Sequence, residues 1–517
     1  MKKLPIARTE LRDIVEEDFC YVDKTPFVKQ LLDDKHRYYF LSRPRRFGKS
    51  LFLNTLREAF SGQKELFKGL YLEHNWDWNV KYPVISISFG GGTATNCDEL
   101  NHSFMYSLNR IAIKYQIDLQ ENFLPKRFHE LIVKLHEKFK LPVVILIDEY
   151  DKPILDNITK PIVNEIRETL SSFYSVLKDA SEYLKFVFLT GVSRFSKTSI
   201  FSKLNNITDI SLLPKYADIC GYTQHDLETV FADYLHDVDL QKVKRWYDGY
   251  NFLGSQLYNP YDVLLFLWEK RYKCFWFETG TPTFLLELIK KHKYFVPQLD
   301  GIEISESQIA QFDIENIKIE TLLFQTGYLT IESVETVGDE YFYKLKLPNI
   351  EVKKGLTEYL ANSFYLQDIN QNVKVSSTKS LYQSIMEQNP DLLKASFVSL
   401  FSAFPNNWYT NNNISHYEGF YCTIFYVCFT SIGLDVRSED TTNLGRIDFT
   451  VLTHNSVYIF EIKMKTNPQN ALKQIKEKKY FEKYLVQKKD IFLVGIEFDE
   501  EARNISDFEW EKITAQI

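Results

Sequence analysis

The run Leu41–Ser50, LSRPRRFGKS, constrains this chain more than any other stretch. It ends on Gly48-Lys49-Ser50, the second half of the pattern G-x-x-x-x-G-K-[ST]. In that pattern backbone N–H groups curl around phosphates, the lysine reaches the β and γ oxygens, and the hydroxyl residue holds Mg²⁺. Arg43 stands where the first glycine belongs. Before the loop, His36–Leu41 (HRYYFL) reads as a buried strand; after it, Leu51–Phe60 reads as a helix. Strand, tight loop and helix together aim a helix N-terminus at the anion. Arg45, Arg46, Phe47, Gly48, Lys49, Ser50 and Leu51 are therefore the candidate nucleotide-binding residues, with Ser50 also a candidate metal ligand.

A second stretch, Leu141–Asp151 (LPVVILIDEYD), supplies the acids such a loop needs. The unbroken apolar run Val143–Ile147 is the pattern of a parallel strand buried on both faces. Carboxylates at its C-terminal end lie where open α/β sheets place their ligands. Asp148 suits Mg²⁺ and Glu149 suits polarising the attacking water. An acidic turn at the surface is the bland alternative. A third apolar run, Leu184–Leu189, leads into Thr190-Gly191-Val192-Ser193-Arg194. Thr190 is the candidate γ-phosphate sensor and Arg194 the candidate cation for charge developing in the transition state. Arg194 can equally be a solvated loop arginine.

A length of 517 residues predicts two to four domains. At 44% hydrophobic and 25% charged residues, with 40 Phe and 32 Tyr, the chain can bury full-sized cores. A net charge of −7 argues against a chain that coats nucleic acid everywhere and leaves room for a local basic groove. Cys20, Cys97, Cys220, Cys274, Cys422 and Cys428 are scattered and form no C-x-x-C pair, so a reducing cytoplasm is the simplest home. No apolar core follows the N-terminus, so no secretory signal is expected, and no apolar stretch reaches the ~18–20 residues that span a bilayer.

The expected fold is α/β, in four parts. Residues 1–210 alternate strand and helix as a P-loop nucleotide-binding core, with Pro83–Phe89 a further strand and Asp98–Ile117 a helix. Residues 211–289 read as a helical lid containing the aromatic turns Trp246–Tyr250 (WYDGY) and Tyr258–Tyr261 (YNPY). Residues 290–375 read as a winged-helix-like region, with Leu322–Ile331 and Glu340–Leu347 as the strands of its wing. Residues 376–517 form the last part.

That last part carries separate chemistry. Gly445–Val451 (GRIDFTV) and Val457–Met464 (VYIFEIKM) read as two strands. Side chains repeat every two residues along a strand, so Glu461 and Lys463 share a face, and Asp448 approaches it if the strands pair as a hairpin. Two carboxylates and a lysine suit metal-dependent phosphodiester hydrolysis: Asp448 and Glu461 as Mg²⁺ ligands, Lys463 to orient or deprotonate water. Glu418, ahead of the apolar helix Phe420–Phe429, is placed to complete the site. In the basic amphipathic helix expected over Ala471–Tyr484, Gln474 and Lys478 share a face from which they can touch the scissile phosphate. An ordinary amphipathic hairpin with surface charges, followed by a solvated basic helix, fits the same spacing.

Taken together, Tyr21–Thr25 (YVDKT), Ser42–Leu51, Ile147–Lys152 (IDEYDK), Thr190–Ser196 (TGVSRFS), Leu204–Asp209 (LNNITD), the WYDGY and YNPY turns, Pro348-Asn349, Gly445–Asp448 and Phe460–Lys463 give the chain a resemblance. It is similar to the bacterial AAA-ATPase-like proteins that carry a C-terminal PD-(D/E)xK nuclease-superfamily domain, of the restriction-endonuclease-like fold. The resemblance covers nearly the whole chain and implies that arginine at position 43 is usual. It implies an ATPase using ATP and Mg²⁺, joined to a nuclease-like domain that acts on nucleic acid, with DNA the expected substrate. From its place before the first strand, Tyr21–Thr25 is expected near the adenine; Arg45 or Arg46 is expected to reach phosphates or, in a homo-oligomer, a neighbouring subunit, and either can equally be a surface charge. The competing expectations are a sensor or scaffold whose tail binds nucleic acid or protein without cleaving, and a small-molecule P-loop kinase, which leaves the last third of the chain unexplained.

Overall fold

The computed structural model describes the chain apart from residues 93, 195–205, 281–300 (save 285, 288 and 299), 310–317, 361–370, 404–417, 443, 466–469, 500 and 515–517. It divides into two compact units, Met1–Ile289 with Ile302–Asn349, and Lys290–Gly301 with Ile350–Ile517. The region expected over 290–375 is thus split: 302–349 pack with the first unit, and 350 onwards with the second.

In the first unit, β1 (Tyr38–Ser42), β2 (Val84–Ser88), β3 (Val143–Asp148), β4 (Leu184–Gly191) and β5 (Thr208–Asp209) make one parallel sheet. Their order is β2-β3-β4-β1-β5. Every residue of β1 and of β3 is buried, as continuous apolar runs in a parallel sheet require. β4 lies between β1 and β3, pairing Leu41 with Thr190 and Ile147 with Leu189. The phosphate-loop strand and the Asp-Glu strand therefore flank the strand that carries Thr190.

Helix Lys49–Phe60 buries Phe52, Leu56, Ala59 and Phe60 at helical spacing, and the rings of Phe52 and Phe60 meet Phe188 and Phe186 of β4. Helices Cys97–Lys114, Leu124–Phe139 and Val163–Asp179 are joined through Phe104, Phe128 and Phe173, whose rings stack or tilt on one another.

The lid region is helical over Gln224–Val230, Leu240–Tyr247, Pro260–Glu269 and Phe275–Gly280. Thr223 and Asp226 form a capping box at the first of these, and Asn259 caps the third ahead of Pro260. Between the second and third, Tyr250–Asn251 (β6) and Gln256–Leu257 (β7) pair as a short hairpin. The core of this region includes Leu227, Val243, Tyr247, Val263 and Phe266, and also Cys20 and Val22 from the N-terminal segment. The chain ahead of the first strand is thus built into the lid.

The remaining strands of this unit, β8 (Ile302–Ser305), β9 (Thr330–Val337) and β10 (Glu340–Lys346), form an antiparallel sheet in the order β8-β10-β9. The expected strand Leu322–Ile331 is a correction: Ile319–Thr326 is helix, closed by Gly327, and β9 starts at Thr330. Nearly every residue from Ile319 to Thr326 is buried, and an apolar run buried all round carries no periodicity to separate helix from strand.

In the second unit, β11 (Asp435–Thr442), β12 (Gly445–Leu452), β13 (Ser456–Met464), β14 (Asp490–Asp499) and β15 (Asn504–Ile513) follow one another in the sheet. Only the β13–β14 pair is parallel. One face packs Phe449, Phe460 and Phe498 against Phe401, Phe425 and Phe429 of helices Pro390–Ser402 and Glu418–Ser431. The other packs Val457, Ile459, Ile491 and Leu493 against Ile475, Tyr480 and Tyr484. The last three lie in the crossover from β13 to β14, which a parallel pair requires. Its helix, expected over Ala471–Tyr484, stops at Glu477; Lys479 takes φ 49° and a 3₁₀ turn runs from Tyr480 to Gln487. No helix among the described residues is long and apolar enough to cross a membrane.

Candidate functional site

The loop after β1 needs glycine at one of its two pattern positions. Gly48 has φ 95° and nothing within 4 Å of where a Cβ would stand, so the backbone there is open to an approaching anion. Arg43, at the position of the first glycine, is not among the residues with positive φ. An L-residue fits there without strain.

The Arg43 side chain turns away from any phosphate. It is 0% exposed, and its guanidinium donates to the backbone carbonyls of Ser42, Ser211, Tyr216 and Ala217 at 2.8–3.2 Å. It also lies 4.0 Å from the centroid of the Phe252 ring. Burial lowers its pKa to about 10, which leaves it charged at neutral pH. Arg43 is a strut that ties the loop to the segment after β5.

Lys49 opens the helix, and its Nζ donates to the carbonyls of Arg43 and Pro44 at 2.9 and 2.8 Å. Burial pulls its ammonium pKa down, opposed first by Asp148. At the end of β3, Asp148 Oδ1 accepts from the Thr190 hydroxyl at 3.2 Å and from the Glu149 amide at 3.0 Å. Thr190 is 0% exposed, so here its hydroxyl holds Asp148. Glu149 has φ 52°, a costly conformation for a long side chain. Burial, then the neighbouring Asp148, raises its carboxyl pKa. Such a carboxylate has the proton affinity a general base needs. Asp151, a residue outside the expected set, is buried and accepts from the Val192 and Ser193 amides and the Ser193 hydroxyl, which anchors the loop after β4.

Arg194 is engaged elsewhere. Its Nε and Nη2 both reach Asp209 Oδ2 at 2.7 Å, and its amide donates to Gln325 Oε1. Arg45 offers its carbonyl to Trp276 Nε1 at 3.1 Å and Asn259 Nδ2 at 3.4 Å. Phe47 is a core anchor, edge-on to Tyr250 and Phe252. Arg46, Gly48, Lys49, Ser50, Leu51 and Glu149 line a cleft of about 550 Å³. Its other walls include Pro5, Ala7–Thr9, Cys20–Val22 and Lys24 of the N-terminal segment, and Tyr222, Tyr261 and Leu264 of the lid. Tyr21 and Lys24, expected near the base, are thus on the cleft wall.

The cleft fits a nucleotide with Mg²⁺. The open αL position at Gly48 and the free end of a 12-residue helix form an anion cradle. Ser50 and Asp148 offer the hard oxygens Mg²⁺ prefers, and such sites use one or two carboxylates together with phosphates.

The second constellation lies on the face of β12–β13 covered by the crossover. Phe449 pairs with Phe460, and beyond that pair the ladder opens. There Asp448 Oδ2 accepts the Ile462 N–H at 2.7 Å, so a carboxylate replaces a backbone carbonyl. Glu461 is 1% exposed; its Oε1 lies 3.0 Å from Lys463 Nζ and accepts from Gln474 Nε2. Gln474 is brought there by close packing at Gly495, which pairs with Glu461 on β14. A Cβ at Gly495 would overlap the backbone nitrogen of Leu472.

Tyr480 completes the cluster and was missed from sequence. Its phenol bonds Gln474 beside Glu461, Asp448 and Lys463, and burial raises its pKa. The helical pattern over 471–484 hides it, because the break at Lys479 is what turns it inward. The same break leaves Lys478 exposed at the helix end, where sequence had expected it beside Gln474. Glu418, expected ahead of its helix, is the helix's first residue, and its side chain lies outside the described residues. Asp448 and Glu461, two carboxylates beside a cation, are a donor set that fits Mg²⁺ with water and phosphate.

Comparison with known proteins matches both halves. A family model described as a predicted AAA-ATPase matches residues 5–201, and one described as the PD-(D/E)XK nuclease superfamily matches residues 416–508. An "uncharacterized protein in vnfD 5′region" of Azotobacter chroococcum mcd 1 is 42% identical over 518 residues, covering 99% of each chain.

Proposed function

Because the chain belongs to the family of predicted AAA-ATPases that carry a C-terminal PD-(D/E)XK nuclease-superfamily domain, we propose that it hydrolyses ATP and cleaves DNA in a nucleotide-controlled manner. The observation that carries the cleavage half is the convergence of Asp448, Glu461 and Lys463, with Gln474, on one sheet face.

In the first unit Lys49 would exchange its two loop carbonyls for the β and γ oxygens of ATP, and Ser50 and Asp148 would hold Mg²⁺. Glu149 accepts the proton of the attacking water, and its raised pKa suits that transfer. In the second unit Asp448 and Glu461 would hold Mg²⁺, and Lys463 would orient the water that attacks the phosphodiester. Bound Mg²⁺ supplies Lewis-acid polarisation of the phosphoryl oxygens at both places. Nucleic acid is assigned to the second unit because the β9–β10 hairpin of the first exposes Glu335, Asp339 and Glu340, a charge that repels phosphate.

The test is an assay on plasmid, linear and single-stranded DNA and RNA in Mg²⁺, with and without ATP. Asp448→Ala and Glu461→Ala should abolish cutting and keep ATP binding; Lys49→Ala should abolish ATP hydrolysis and change the cutting. Unchanged cutting in both carboxylate variants overturns the reading. DNA that the unaltered protein binds and leaves intact makes the tail a scaffold.

A further inference from the structure

The cleft has a second cation that stands apart from the rest. Of the other cations on its wall, Lys24 is paired with Asp226 at 3.0 Å, Lys152 is paired with Asp156 at 3.2 Å, Arg8 lies 3.6 Å from Glu17, and Arg45 is half-buried with its carbonyl bound by Trp276. Arg46 makes no ion pair among the described residues, lines the cleft two positions before Gly48, and is exposed. Its backbone takes φ 64°, the left-handed region that a long side chain adopts at a cost. Its guanidinium lies 4.7 Å from the centroid of the Tyr261 ring, which belongs to the lid helix Pro260–Glu269 and lines the same cleft.

We propose that Arg46 is the charge-compensating cation for the polyphosphate and that Tyr261 is its resting place. With no anion in the cleft the guanidinium lies on the tyrosine ring. When the nucleotide enters, Arg46 transfers to the phosphate oxygens, because a charge-assisted and bidentate contact outweighs an exposed cation–π contact. The transfer frees Tyr261, so the lid registers the presence of phosphate through one side chain. The positive φ fits this role: it spends backbone energy to keep a mobile cation at the mouth of the anion cradle. The inference rests on the ATPase reading and adds to it the residue that answers the phosphate.

Steady-state ATP hydrolysis by the full chain separates the two. Lys49→Ala should be inactive; a wild-type chain that turns over no ATP, or a Lys49→Ala variant as active as wild type, defeats the ATPase reading and this proposal with it. Given wild-type turnover and an inactive Lys49→Ala, Arg46→Ala should lower kcat about 100-fold, the scale for losing one preorganised charge-stabilising donor. Arg46→Lys should recover part of that loss. Tyr261→Leu should lower KM for ATP roughly threefold, the equivalent of releasing an exposed cation–π contact. Tyr261→Phe, which keeps the ring, should restore the wild-type KM. Arg46→Ala within twofold of wild-type kcat overturns the assignment of the cation; a Tyr261→Leu KM equal to that of wild type overturns the resting place.

Discussion

The two constellations are built in opposite ways. The nucleotide cleft sits on loops at the ends of β1, β3 and β4, and Arg46, Gly48 and Glu149 of those loops hold positive φ. Lys49 is parked on the carbonyls of its own loop. The nuclease-like cluster sits on the flat face of paired strands, with Glu461 buried and its acceptor oxygen already bound by Gln474 and Lys463. Loops can exchange partners when a ligand arrives, whereas strands hold side chains where the pleat puts them. The first site is arranged to change on binding, and the second to keep its geometry. Each owes its shape to a residue that touches no reacting group: Arg43 behind the loop, and Gly495 under the crossover helix.

The sharpest way to break this comparison is to remove the strut. Arg43→Ala leaves the carbonyls of Ser42, Ser211, Tyr216 and Ala217 buried without their donor, at a cost of about 1–3 kcal/mol for each one left unsatisfied. Thermal unfolding should show the first unit melting earlier while the transition of the second unit holds. Arg43→Gly restores the familiar loop pattern and should fail to rescue, because the guanidinium and not the backbone freedom is what the site uses. Recovery in the glycine variant would show that Arg43 is dispensable.

The corresponding test in the second unit is smaller. Gly495→Ala forces the Ala471–Glu477 helix away from β14, a steric cost of about 1–3 kcal/mol. It should withdraw Gln474 from Glu461 and cut cleavage more than it lowers stability. Cleavage that falls only in proportion to the folded fraction would mean that Gln474 positioning is unimportant.

The smallest effect concerns Glu149. Its folded pKa lies above its unfolded value, so the folded state holds the proton more tightly. The stability this gives is complete below the unfolded pKa and is lost as pH rises through the folded pKa. Glu149→Gln should therefore melt slightly later than wild type at pH 7, with the two curves converging as pH falls into the carboxylate range. The same variant should lose ATP hydrolysis. A variant that melts earlier at pH 7 would show that the carboxylate is held by a favourable contact instead.

How much was legible follows from how local each signal is. Val143–Ile147 needs no partner to be read as a buried strand, because only full burial explains five consecutive apolar residues. Asp448, Glu461 and Lys463 were legible because strand alternation has period two whatever surrounds it. Ile319–Thr326 was not: an apolar segment buried all round reads equally well as helix or strand. The break at Lys479 was hidden for a related reason, since Ala471–Tyr484 satisfies a helical pattern throughout and only packing on Gly495 and the sheet turns Tyr480 to the site.

Sequence alone determined the chemical inventory: a Gly-Lys-Ser loop between strand and helix, an Asp-Glu pair ending a buried strand, and an Asp with Glu-x-Lys on adjoining strands. Those depend on contacts within a few residues, which propensity and periodicity encode directly. Tertiary structure decided which of the charges are spent. Arg43 is closed on carbonyls up to 174 positions away and Arg194 on Asp209, while the neutral Thr190 hydroxyl donates to Asp148 on the neighbouring strand. A charged side chain is fixed by whichever partner the fold brings within about 3 Å. That distance is set by strand order and layer packing, which no local pattern records.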